Sequence, residues 1–220
     1  MSECTEQLFL KDIENHKMTI IRDDGVHRHI QFKRPETSSY RFDLITWPGH
    51  LCYTGDMGTY VFQRLDDMFE FFRTDRQHQK SPSTLKINLG YWTEKLIAVD
   101  GSRRGGKAEE FSEEKFRKVI NEYRVQWMRS AKENGSLDKD QRRELWESVD
   151  WQIIDNLESG GERAMLAAHD FNFKIEEREW YFNDLFEHNF TDYTFHMVWC
   201  CYALAWGILQ YDKSKEEVTA

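Results

Sequence analysis

Proline, glycine and cysteine are all scarce in this chain: 3, 12 and 4 among 220 residues. Collagen-like and low-complexity chains need far more proline and glycine, so both classes are excluded. The cysteines Cys4, Cys52, Cys200 and Cys201 include no pair with the two-residue gap of a zinc knuckle or redox motif. Cys200 and Cys201 lie side by side in apolar sequence, where a free thiol behaves as a small hydrophobe. Reduced thiols, and hence a cytoplasmic setting, are expected. A long apolar run is lacking too. The longest, Met197 to Leu209, falls short of the about 20 residues that span a membrane; it predicts a buried helix and no membrane contact. Met1 to His16 places no basic start before an apolar stretch, so no secretory leader is expected.

Positive charge is in deficit as well. Thirty Lys and Arg stand against 39 Asp and Glu, leaving −9. The excess is local: residues 136–187 carry 14 carboxylates and 6 cations, which leaves −8 there. Such a field repels nucleic acid and attracts basic protein surfaces. Aromatics, by contrast, are plentiful, with 8 Trp and 15 Phe. A disordered chain is poor in them, so a folded core is expected for most of the length.

The patterning predicts an α+β chain: an N-terminal antiparallel sheet of four to five strands packed with a mostly α-helical C-terminal region. Met18–Arg22 is a β-branched run before Asp24-Gly25, a hairpin signal. Val26, Ile30 and Phe32 alternate with polar neighbours, the period of a half-buried strand, with Arg28 breaking the apolar face once. Tyr40–Trp47, Leu51–Thr54 and Thr59–Arg64 complete the set. A short helix capped by Asp66 through Phe72, and another over Tyr91–Val99, follow. Ser112 opens a strong helix that Asn134-Gly135 stops. Asp138 with Gln141 forms a capping-box pattern for a helix to about Leu157. Shorter helical pieces fill 162–187, and Thr191 or Asp192 begins the terminal apolar helix, which ends near Tyr211. The regions are 1–73, β-rich and ending in a short helix, and 74–220, helical, in one continuous domain whose sheet and terminal helix share a core.

The helix 138–158 carries the leading candidate site. At 100° per residue Leu145, Val149 and Ile153 form its core stripe. Asp140, Glu144, Glu147, Trp151, Asp155 and Glu158 fall on the far side within roughly 80° of arc. A column of carboxylates around an indole is either a solvated face with Trp151 tucked under a loop or a partner surface, since Trp is enriched among interface hot spots and carboxylates engage Arg and Lys. The loop Gly101–Lys107 offers a second site: Arg103, Arg104 and Lys107 among glycines could hold phosphate, although the order of a phosphate loop is missing. His27 and His29 share one strand face, a spacing compatible with two metal ligands, with ordinary surface histidines the simpler reading. Asp56 beside Tyr53 on the turn Gly55–Tyr60 has the residue types for acid–base work, though a tight turn explains the segment. Trp199, Tyr202 and Trp206 read as core packing or a dimer face. No cofactor and no metal are implied.

Three longer stretches carry a resemblance: His27 to Pro35, Ile45 to Gly58 and Val61 to Arg73, supported by Asn88 to Leu96 and Trp199 to Ala203. Across most of its length the chain resembles a family of uncharacterised accessory proteins carried by phages and prophages of enteric bacteria. The resemblance brings no catalytic residues with it. It implies the cytoplasm of a bacterial host and a non-enzymatic protein that inhibits a host defence or nucleic-acid-handling complex, of anti-CRISPR or anti-restriction type. The acidic segment would then imitate a phosphate backbone on a basic surface, with no direct nucleic-acid contact and with homodimerisation open. The competing expectation is a nucleotide- or nucleic-acid-binding protein or enzyme that uses the basic glycine loop.

Overall fold

The computed structural model describes residues 3–76, 84–100 and 107–219. Thr5 opens a first helix, α1 (Glu6–Asp12), by accepting from the Leu8 N–H. Six antiparallel strands form a meander in chain order: β1 (Lys17–Asp24), β2 (His27–Lys33), β3 (Phe42–Trp47), β4 (His50–Gly55), β5 (Gly58–Gln63) and, after two helices, β6 (Leu96–Val99). The helices are α2 (Met68–Arg76) and α3 (Leu89–Thr93). The sheet therefore has six strands where four to five are expected from sequence. Part of the segment Tyr91–Val99, read as helix, is strand: Leu96, Ala98 and Val99 pair with Phe62, Val61 and Tyr60. The carboxylate that meets the first turn of α2 belongs to Asp67, which accepts from the Phe69 N–H at 2.9 Å, and not to Asp66.

The alternation in β2 through β5 puts Ile30, Phe32, Leu44, Leu51, Tyr53, Tyr60 and Phe62 on one fully buried face. Beyond β7 (Glu109–Phe111) the chain enters a run of helices: α4 (Glu113–Glu133), α5 (Lys139–Val149), a π turn over Asp150–Ile154, a 3-10 turn over Asp155–Ser159 and α6 (Gly161–Asp170). The hairpin β8 (Phe173–Ile175) and β9 (Arg178–Trp180) follows, then β10 (Thr191–Tyr193) and the terminal helix α7 (Phe195–Thr219). This last helix starts later and ends later than expected; Thr194 caps it by accepting from the Met197 N–H. Its residues Trp199, Cys200, Leu204 and Ile208 are fully buried in the same core as the sheet. Trp199 and Trp206 lie edge-on to Phe9 and Phe42, and Tyr202 stacks on Phe9, so the aromatic stripe of α7 is core. No helix among the described residues is long and apolar enough to cross a membrane.

The chain divides into two compact units, one of residues 1–109 with 193–220 and one of Glu110–Asp192. The partition thus falls at 109 and 192 and not at 73. The second unit holds 20 carboxylates and 12 cations, so it accounts for −8 of the −9.

Candidate protein-docking site

The second unit positions the acidic column. Ser112 caps α4 by accepting from the Lys115 N–H, and Gly135, at φ +64, lets the chain leave the helix in the left-handed region. The capping box that starts α5 is complete: Asp138 Oδ1 accepts from the Gln141 N–H at 2.8 Å, and Gln141 Oε1 accepts from the Asp138 N–H at 2.9 Å. Phe116 and Ile120 of α4 share one core with Leu145, Val149, Ile153 and Leu157.

Helical winding beyond Val149 departs from the sequence expectation. Four apolar residues recur at a strict spacing of four, and on an α-helix each such step advances about 40°, or about 120° over the three steps. A regular helix would carry Leu157 off the core. The π turn, with its wider i→i+5 rings, winds by less than 100° per residue and keeps Ile153 fully buried, while Leu157, 3% exposed, lies in the 3-10 turn that follows. Trp151, Asp155 and Glu158 consequently do not continue the α5 face by 100° steps.

All six residues of the column are nevertheless exposed. Trp151 is 63% exposed. Its neighbour in sequence shows the contrast: Trp146 is half-buried, with the Arg124 guanidinium 3.9 Å from its ring centroid. Arg124 also donates to Asp150 Oδ1 at 2.5 Å, so Asp150, which is not part of the column, is the carboxylate used internally. Within the column Glu147 accepts from Arg143 Nε at 2.7 Å, one turn away, and this bond draws the Arg143 pKa upward. Asp140, Glu144, Asp155 and Glu158 make no ion pair among the described residues. An exposed indole among uncompensated carboxylates can receive guanidinium and ammonium groups and cover an apolar surface between them. The unit exposes three further large apolar side chains, Leu166, Tyr181 and Phe186. Their sequence context, read only as helical pieces, carries no periodic signal that would separate them from core.

The remaining candidates resolve differently. Arg103 and Arg104 lie outside the described residues. Lys107 is exposed, and its carbonyl accepts from Thr194 Oγ1. His29 Nε2 bonds the buried Asp43 carboxylate at 2.8 Å, and Arg41 bonds the same group. Among the described residues no group of three or more His, Cys, Asp or Glu could hold a metal ion. Asp56 is occupied with fastening its turn: its carboxylate accepts from the Tyr40 N–H at 2.6 Å and its own N–H donates to the Arg41 carbonyl. A Cβ at Gly55 would overlap that carbonyl, which explains the glycine by close approach of backbone. Burial pushes the Tyr53 phenol well above its ordinary value, so it stays protonated.

No protein-family model, curated protein or solved structure matches the chain.

Proposed function

We propose that the chain works as a protein-docking inhibitor. In this reading the helical unit presents Trp151 with Asp140, Glu144, Glu147, Asp155 and Glu158 to the basic, nucleic-acid-binding surface of a host defence or nucleic-acid-handling complex, and the carboxylates stand in for phosphates. The observation that carries the reading is the 63% exposure of Trp151 among carboxylates of which only Glu147 has an ion-pair partner among the described residues. A large indole left in water next to a half-buried one is a hot-spot side chain without its pocket. The concentration of −8 in the same unit supports long-range attraction of a cationic partner.

The test is affinity capture from a bacterial host lysate with the wild-type chain and with the triple variant Glu144→Lys, Glu147→Lys, Trp151→Ala, both checked for an unchanged circular dichroism spectrum. A specific complex retained by wild type, displaced by a DNA duplex and by salt, and lost from the folded triple variant is the expected result. Equal retention by both proteins rejects the site.

A further inference from the structure

The acidic unit also contains a cluster of opposite sign. A shallow, open depression of about 360 Å³ between α4 and α5 is lined by Met128, Arg129, Lys132, Arg142, Arg143 and Trp146. The thioether and the indole give it apolar lining, and four cations surround them. Arg129 and Lys132 make no ion pair among the described residues. Arg142 donates to the Leu137 carbonyl at 2.6 Å and to no carboxylate, and only Arg143 has an acid partner, Glu147. Three cations without a carboxylate partner among the described residues thus gather around one apolar hollow.

The helical geometry shows how. With Leu145, Ser148 and Val149 facing the core, 100° steps place Arg142, Trp146 and Arg143 along one flank of α5 and Glu147, Asp140 and Glu144 along the other. The exposed side of the helix is split lengthwise by charge. One flank has an apolar hollow with a cationic rim; the other leads to a protruding indole with an anionic rim. Each is the chemical complement of the other.

We infer that a second copy of this chain docks here, with Trp151 and its carboxylates of each protomer seated in the Arg129–Lys132–Trp146 concavity of its partner. Because the two patches flank the same helical segment, a two-fold axis running between them can place each on the other. The assembly closes as a dimer with two reciprocal contacts and does not propagate. The inference rests on the same Trp151 face as the proposed function and adds a competitor for it: self-association and capture of a basic partner exclude one another.

Sedimentation of the full chain from low to high micromolar concentration, at low and high salt, tests this. A monomer–dimer equilibrium that weakens with salt is expected. Trp151→Ala, which removes the knob, and the double variant Arg129→Glu with Lys132→Glu, which reverses the rim, should each weaken dimerisation by about tenfold or more. Mixing the two variants leaves one contact whole and breaks the other on both sides, so no mixture should dimerise as tightly as wild type. A monomer under every condition, or a dimer indifferent to both variants, overturns the inference. Capture separates the two readings: the Arg129→Glu, Lys132→Glu variant retains the Trp151 face and should capture the proposed partner at least as well as wild type. Capture without dimers removes only this inference, and dimers without capture remove only the proposed function.

Discussion

Replacing Arg28 by Met should destabilise the sheet unit by about 2–3 kcal/mol. The guanidinium bonds both Asp67 oxygens at 2.8 Å, lies 4.0 Å from Asp23, and sits 4.7 Å and 5.6 Å from the ring centroids of Phe69 and Tyr211. Its side chain is 9% exposed. Removing one member of a buried ion pair costs about 3–5 kcal/mol, mostly because the other charge is stranded. Asp67 keeps 24% exposure and Asp23 retains Lys215, so both can be partly rehydrated, which lowers the expectation to about 2–3 kcal/mol. The stem of Met replaces much of the arginine's packing, so the loss reports the charge and its hydrogen bonds. Urea unfolding followed by tryptophan fluorescence and by circular dichroism measures it, with the two signals compared because the chain has two units. Arg28→Met with Asp67→Asn should recover part of the loss, because no carboxylate is then stranded at Asp67. A single-variant loss below about 1 kcal/mol, or a double variant whose loss equals the sum of the two singles, refutes the reasoning.

Acid should act through the same network. Burial alone would raise Asp67 and Asp23, but the bonds and charges of Arg28 for the first, and of Lys215, Tyr211 and Arg28 for the second, win and hold both below the ordinary 3.8. Their stabilisation is fully present above that value and is lost as pH falls through the depressed folded values; melting temperature should fall below about pH 4, and less so in Arg28→Met. Gly207→Ala would bring a Cβ to 2.9 Å from Leu44 Cδ1 and 3.2 Å from the Phe32 ring. Overpacking should outweigh the gain in helix propensity and leave a net loss of about 1 kcal/mol in urea unfolding; a stabilised variant would contradict the close approach of α7 to the sheet. Thiol titration of the native protein should reach Cys52 alone, slowly, because burial raises its pKa. Cys4, pushed up to about 12, and the enclosed Cys200 and Cys201 should stay silent until denaturant exposes all four. Asp138→Ala should cost the helical unit about 1 kcal/mol by opening the capping box, and an unchanged melting curve would show that box to be idle.

Local signals were enough for much of the fold. Alternation marked β2 through β5, and Ser112, Asn134-Gly135, Asp138 and Gln141 marked the ends of α4 and α5, because caps and turns depend on neighbours within a few residues. The misread segments depend on distant partners. Leu96–Val99 is a four-residue apolar run with no period of its own, and pairing with β5 makes it a strand. Arg28 looked like a fault in an apolar face because its carboxylate lies 39 residues away. In the candidate site, spacing placed Asp140, Glu144 and Glu147 opposite the core stripe of α5, whereas Trp151, Asp155 and Glu158 lie beyond it in the π and 3-10 turns. The π turn was also written there, in the four-residue spacing of Leu145, Val149, Ile153 and Leu157, but a fixed 100° step cannot represent it. The basic hollow was invisible because Arg129 and Lys132 belong to one helix and Arg142 and Arg143 to the next.

The discontinuity of the sheet unit has a consequence for biosynthesis. Within that unit the Thr194 N–H donates to the Ala108 carbonyl at 2.9 Å, and within the helical unit the Ser112 N–H donates to the Phe190 carbonyl at 2.7 Å. Each unit therefore has its two severed ends side by side, the arrangement of a cassette inserted into a host loop. On the ribosome the helical cassette emerges whole while the sheet still waits for α7, the element that brings Trp199, Leu204 and Ile208 to its buried face. The nascent chain must shelter that greasy surface until α7 has emerged, and a short bridge from Ala108 to Thr194 should yield a sheet unit that no longer has to wait.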